Sequence, residues 1–230
     1  MARNANAEKP PRKSASAKKT ARVGRPRGNN RDARLEKILA VARKNFAEKG
    51  YEQTTFKDIG HDAGMTRTAL YSYFDSKADL YLATLIDIHA QFLPDFLRTM
   101  EECKTLRERF KRIVMASTAA HARDSTITGF LSALPIEIRR HPELNTVLHK
   151  QNNMAYRAMA AMFDEARRNG EIATNASTVN LVSAFFGGAI GVGLFQYGMQ
   201  AYSAHTPSLT KSMSIFVSMS EGNVFATRKK

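Results

Sequence analysis

The stretch Thr55-Phe56-Lys57-Asp58-Ile59-Gly60-His61-Asp62-Ala63-Gly64-Met65-Thr66-Arg67-Thr68-Ala69-Leu70-Tyr71-Ser72-Tyr73-Phe74 decides the fold. Thr55 and Asp58 have the spacing of a capping box, with Asp in the usual Glu position, and open a short helix. Phe56, Ile59 and Ala63 give that helix one apolar face. Gly64 breaks it, and Thr66 can cap a second helix running to about Phe74. Helix, glycine turn, helix is the helix-turn-helix pattern. At about 100° per residue, Ala69, Leu70, Tyr73 and Phe74 share the inner side of the second helix. Arg67, Thr68, Tyr71 and Ser72 face away, and each can hydrogen-bond. Such a face suits base edges and phosphates in a major groove.

Helical signals continue on both sides. Upstream, Leu35, Ile38, Leu39, Ala42 and Phe46 form one stripe, and Gly50 ends it as a C′ glycine. Downstream, Ser76 and Asp79 look like another helix start, with Leu80, Tyr81, Thr84, Leu85 and Ile88 as its apolar face. Further helices are expected at about 76–93, 104–122, 125–140, 142–169, 176–203 and 207–221. Pro94, Asp124-Ser125, Pro142, Asn169-Gly170 and Pro207 punctuate them. Strand signals are almost absent, so the fold class is all-α.

The region resembles the TetR family of bacterial transcriptional regulators. The match is carried by Met65-Thr66-Arg67-Thr68-Ala69-Leu70-Tyr71-Ser72-Tyr73-Phe74-Asp75-Ser76-Lys77-Ala78-Asp79-Leu80-Tyr81. Phe46-Ala47-Glu48-Lys49-Gly50-Tyr51, Thr54-Thr55, Asp58-Ile59 and Ala63-Gly64 agree at the right spacing. Two positions depart: Ala69 stands where threonine is frequent, and Ser72 where a larger polar residue is. The resemblance implies that Thr66, Arg67, Thr68, Tyr71, Ser72 and Tyr73 lie on or near DNA. It also implies that Thr55 meets a phosphate and that Lys77 acts on another from its helix start. Three regions are expected: a basic arm at 1–30, a helix-turn-helix DNA-binding domain at 31–81, and a helical ligand-binding and dimerisation domain at 82–230.

Charge supports a polyanionic partner. Of the formal +14, residues 1–30 carry +8, with nine Lys/Arg against Glu8. That segment holds no aromatic residue and cannot bury enough surface to fold alone. Its Arg22-Val23-Gly24-Arg25-Pro26-Arg27-Gly28 contains a Gly-Arg-Pro core, so Arg25 and Arg27 either follow a minor groove or touch phosphates without preference.

Other classes lack support. A lone cysteine, Cys103, gives neither an internal disulfide nor a Cys-pair zinc site. The histidines lack metal spacing, and nucleophile and phosphate-loop signatures are missing. No enzyme, metal or cofactor is expected, and the natural address is cytoplasmic. From Ile172 to Thr210 no charged residue occurs, yet the longest unbroken apolar run is Ala184 to Phe195. That favours a helix buried among protein neighbours over a membrane span.

The resemblance assigns a ligand cavity and a four-helix dimer interface to the rest of the chain. Phe110, Met115, Phe130, Leu134, Met159, Phe163, Phe185 and Phe186 are the candidate pocket residues. Arg123, Arg139 or Arg140 are candidates to hold a carboxylate at its rim. Val179, Val182, Phe186, Ile190, Tyr197, Met213 and Phe216 are candidates for the dimer interface. The expected protein is a homodimeric repressor that binds a palindromic double-stranded operator and is released by a small apolar or amphipathic ligand. The alternatives are a non-switching architectural DNA-binding protein and a helical lipid- or acyl-binding protein.

Overall fold

A computed structural model describes residues 27–199 and 208–220. Every regular element among them is an α-helix: α1 (Arg27–Gln53), α2 (Phe56–Ala63), α3 (Arg67–Tyr71), α4 (Lys77–Glu102), α5 (Leu106–Arg123), α6 (Ser125–Arg140), α7 (Pro142–Arg168), α8 (Thr178–Met199) and α9 (Leu209–Ser220). Helix starts are set by side-chain oxygens accepting orphan amides. Thr55 and Thr105 form capping boxes with Asp58 and Glu108, and Thr66, Ser76 and Asp124 each cap the helix that follows. Residue Gly50, with φ 78° and ψ 172°, interrupts α1 one turn before its end.

Two differences from the sequence expectation concern helix ends. Pro94 does not stop α4, which runs on to Glu102. Its missing amide costs one helical bond. Burial of Thr99 and packing of Phe92 and Met100 against the two apolar cores offset that loss. At the other extreme α3 ends at Tyr71 rather than Phe74. The Ser72 hydroxyl donates to the Ala69 carbonyl (2.6 Å), and the Tyr73 amide turns to Leu70 (2.9 Å), closing the helix early.

Burial organises the helices around two apolar clusters. The first joins Ile38, Phe46, Tyr51, Ile59, Leu70 and Tyr81 to Ile127, Phe130 and Leu144. Helix α6 packs along α1, so residue 81 does not separate two cores. An aromatic knot crosses that line: Phe46–Tyr81 at 4.9 Å and Tyr81–Phe130 at 4.5 Å between ring centroids. Such pairs add roughly 0.5–1.5 kcal/mol each beyond area burial. The second cluster, with Phe110, Met159, Phe163, Val182, Phe185 and Met213, joins α5, α7, α8 and α9.

By length and composition α8 is apolar enough to cross a bilayer. Its two sides differ here. Leu181, Val182, Phe185, Gly193 and Gln196 are buried against the chain. Val179, Leu194 and Phe195 are 59%, 53% and 63% exposed.

Candidate functional site

The helix-turn-helix is built tightly. Gly64 takes the left-handed conformation (φ 69°, ψ 36°) between α2 and α3, which L side chains rarely adopt. A Cβ on Gly60 would lie 2.8 Å from the Met65 carbonyl, so this approach of α2 to the turn needs glycine. Leu70 and Phe74 are buried and fix α3 from beneath. Thr66, Arg67, Thr68, Tyr71 and Ser72 are exposed together on the outer side, and Thr55 is exposed at the start of α2.

Arg67 and Tyr71, one turn apart, act as a pair. The guanidinium lies 5.5 Å from the Tyr71 ring centroid and donates to its hydroxyl at 3.1 Å. This prearranges a cation and a phenol on the exposed face. Tyr73 is half-buried, with the Arg31 guanidinium 5.6 Å over its ring. Arg31 is a cation that the sequence reading missed, because its partner lies more than forty residues along the chain. Arg25 and the side chain of Arg27 lie outside the described residues.

Lys77 departs from its expected role. Its ammonium donates to the Tyr51 carbonyl (2.7 Å) and the Glu52 carbonyl (3.1 Å), and sits 4.3 Å from the Tyr51 ring centroid. Burial lowers its pKa, against the pull of Glu143, Glu52 and Glu137. Rather than standing free for a phosphate, it ties the start of α4 to the end of α1. The Tyr51 hydroxyl beside it is pushed up to about 12, by burial first and Glu143 second. The Tyr51 amide donates to Glu137 of α6 (3.2 Å), which joins this corner to the helices beyond.

A second tie lies further along α1. The Arg43 side chain is 8% exposed and donates to Asp87 of α4 (3.2 Å), Asp124 (2.6 Å) and the Thr126 hydroxyl (3.2 Å). These contacts tie α4 and the start of α6 to α1.

Behind the helix-turn-helix the helices form a partly open cavity of about 840 Å³, lined from α4 through α9. Of the eight residues expected there, Leu134, Met159, Phe185 and Phe186 line it. Phe110 and Phe163 are buried in the second core instead, and Phe130 is locked in the aromatic knot. Met115 points to solvent at 58% exposure. Arg123, Arg139 and Arg140 do not line the cavity. Helix α4 also supplies Ile86, His89, Ala90, Leu93 and Phe96, which are not among the eight candidates; only Phe96 lies beyond Pro94. Their spacing of three and four residues was the available signal. Burial lowers the pKa of His89 and of His121, whose ring nitrogen meets the Thr128 hydroxyl at 2.9 Å.

The interface residues expected on α8 and α9 face inward. Val182 and Met213 are buried, leaving no area for another chain. Phe186 and Ile190 line the cavity. The Tyr197 ring sits against Gly129 of α6, and the Phe216 ring against Gly188 of α8. Val179 is the exception and is exposed, as are Leu194, Phe195, Ile215 and Met219.

Comparison with known proteins agrees with this geometry. The family described as "Bacterial regulatory proteins, tetR family" matches residues 38–84, from mid-α1 into α4. Residues 38–84 thus carry the DNA-binding region of that family. The chain is similar to the HTH-type transcriptional regulator QacR of Staphylococcus aureus. The two are 27% identical over 158 residues, 67% of this chain and 81% of that one. It is 26% identical over 121 residues to IcaR of Staphylococcus epidermidis, a negative transcriptional regulator of a biofilm operon, covering 50% of this chain and 65% of that one. The fold superposes on FadR of Bacillus subtilis, solved with stearoyl-CoA, at TM-score 0.64 and 17% identity, covering 82% and 98% of the two chains. The chain is thus a helix-turn-helix transcriptional regulator, and its described residues follow an all-α architecture.

Proposed function

We propose that this protein is a homodimeric repressor that grips a palindromic operator through two copies of α3 and is released by a small, largely apolar ligand in the cavity. The observation that carries the reading is the course of α4. It starts at Lys77, six residues after α3 ends, and its far half walls the cavity. One rigid element therefore touches both sites. IcaR, a relative, is named a negative regulator, and FadR was crystallised with an acyl-CoA.

Arg67 and Tyr71 are assigned to base edges, Thr55, Thr66, Thr68 and Ser72 to phosphates and flanking bases, and Arg25 and Arg27 to the neighbouring groove. Tyr73 supports this face from its edge. A twin chain is assigned to the outer faces of α8 and α9, where Val179, Leu194, Phe195, Ile215 and Met219 leave apolar surface uncovered. Acting on DNA, the protein works in the cytoplasm with no membrane partner. The ligand shifts the equilibrium by binding the DNA-free conformation more tightly. Moving occupancy from 99:1 to 1:99 takes roughly 10⁴-fold differential affinity, about 5.5 kcal/mol.

The test is a gel shift on the DNA flanking the protein's own gene, with specific and random competitors, repeated with compounds that raise the melting temperature. Specific retention abolished by a stabilising compound supports the reading. Binding that random DNA competes equally, or that no stabilising compound alters, refutes it.

A further inference from the structure

The cavity has few polar lining groups, and most are already engaged by the chain. The Thr99 hydroxyl donates to the Asp95 carbonyl (2.7 Å), the Ser117 hydroxyl donates to the Ile113 carbonyl (2.9 Å), and the Thr128 hydroxyl meets the His121 ring nitrogen (2.9 Å). Ser132 of α6 differs. It lines the cavity and is only 6% exposed, yet among the described residues its hydroxyl has no hydrogen-bond partner. A serine inside a helix commonly donates back to the carbonyl one turn before it, as Ser117 does, and Ser132 does not. Opposite it on α8 stands Gly193, also a lining residue, where a Cβ would lie 3.3 Å from the Ser132 oxygen. With no side chain at 193, α8 leaves the hydroxyl uncovered there. His89 and Tyr156 line the cavity without such a partner too, but both are half-buried, and water reaches them.

Charge narrows the ligand class. No lysine or arginine lines the cavity among the described residues. Asp95 is the single charged lining residue there, with a side chain 46% exposed and an Arg98 nitrogen 3.9 Å away. An anionic head group would enter without a counter-charge, which is costly in an apolar site. A pure hydrocarbon would seal the Ser132 hydroxyl away from water with its bond unmade, which is costly as well. A carbonyl oxygen accepts that bond and brings no donor of its own that would need a partner.

We propose, resting on the reading of this cavity as the effector site, that Ser132 is a specificity-determining residue and that the effector is a neutral, largely hydrocarbon molecule carrying a carbonyl group. The Ser132 hydroxyl donates to the carbonyl oxygen, and the hydrocarbon body lies against Ile113, Leu134, Phe185 and Phe186.

The test compares 2-nonanone with 2-methyl-1-nonene, an alkene of the same shape in which a methylene replaces the oxygen. Both are volatile, so headspace gas chromatography over the full chain at pH 8 reads the free concentration of each and hence its Kd. The ketone-to-alkene affinity ratio is compared between wild type and Ser132→Ala, so that the different hydrophobicity of the probes cancels. Ser132→Ala should lower the ratio about tenfold by weakening the ketone alone. Alanine is the better helix former, so loss of folding does not confuse the result. Tyr156→Phe should leave the ratio unchanged, and nonanoate, titrated by calorimetry, should bind more weakly than the ketone. The proposal is overturned if Ser132→Ala keeps the ratio within about twofold of wild type, if Tyr156→Phe lowers it instead, or if nonanoate binds more tightly than the ketone. In each of those cases the reading of the cavity as the effector site still stands. Binding by none of the three probes overturns that reading, and this proposal with it.

Discussion

Replacing Arg43 by methionine removes a charge and three donated hydrogen bonds while keeping much of the buried aliphatic stem. Breaking a fully buried ion pair costs about 3–5 kcal/mol. Here the two carboxylates are less buried, with side-chain exposures of 27% for Asp87 and 35% for Asp124. Each also keeps another partner: Gln91 donates to Asp87 (2.9 Å), and the Thr126 amide and hydroxyl donate to Asp124. The discounted cost is about 2–3 kcal/mol. For a chain of this size that lowers Tm by about 4–12 °C. The penalty should depend on pH. Burial raises the Asp124 carboxyl, but the bonds from Thr126 and Arg43 outweigh it, so its pKa lies below the ordinary value. A depressed carboxyl stabilises the fold above the unfolded pKa of about 3.9 and loses that contribution as pH falls through the folded value. The gap between wild type and Arg43→Met should therefore be full at pH 7 and narrow below about pH 4. Thermal melts followed by circular dichroism at both pH values, with a cycle including Asp124→Asn, measure it. A loss under about 0.5 kcal/mol at pH 7, or no coupling between positions 43 and 124, would refute the argument.

Arg67→Ala should cost about 1–3 kcal/mol in operator binding and relax preference at one base pair per half-site. Equal weakening on all sequences in a gel shift would make it a phosphate contact alone. The paired change Phe195→Arg, Ile215→Arg should convert the proposed dimer to a monomer in sedimentation at micromolar concentration, and an unchanged sedimentation coefficient refutes the outer-face assignment. Truncation before Arg27, where α1 begins, removes eight of the nine basic residues of the arm and should flatten the dependence of log K on log[salt]. Gly129→Ala should destabilise by about 1–3 kcal/mol, because the added methyl meets the Tyr197 ring at 2.5 Å. A melting temperature at or above wild type would show that the ring moves aside freely.

The helix-turn-helix was legible because its signals are local. Thr55, Asp58, Gly64 and Thr66 act within a few residues of themselves, and the wheel separates Leu70 and Phe74 from Arg67 and Tyr71. The cavity was not legible to the same degree. Phe130, Phe163 and Phe185 all read as apolar helical positions, yet they occupy a knot, a core and a cavity wall, and periodicity cannot tell those surroundings apart. Pro94 read as a breaker because tertiary packing on the far half of α4 has no local trace. Arg43 sits within an apolar stripe and answers to Asp124, 81 residues away. In α8 hydrophobicity on all sides erases the period that would have distinguished its inner face from its outer one.

The glycines of α8 divide in the same way. A Cβ on Gly188 would strike the Phe216 ring and one on Gly193 would crowd Thr128, whereas one on Gly187, Gly191 or Gly198 would have no described residue within 4 Å. Tolerance to mutation at the first pair is thus a property of the single polypeptide, indifferent to how much of it is present. At the other three, alanine improves helix propensity by up to about 1 kcal/mol in a lone chain. It becomes harmful only once a second chain presses against that surface. A substitution scan of α8 run at low and at high expression should therefore return two different fitness maps, and the positions whose sign reverses between them trace the outline of the pairing surface.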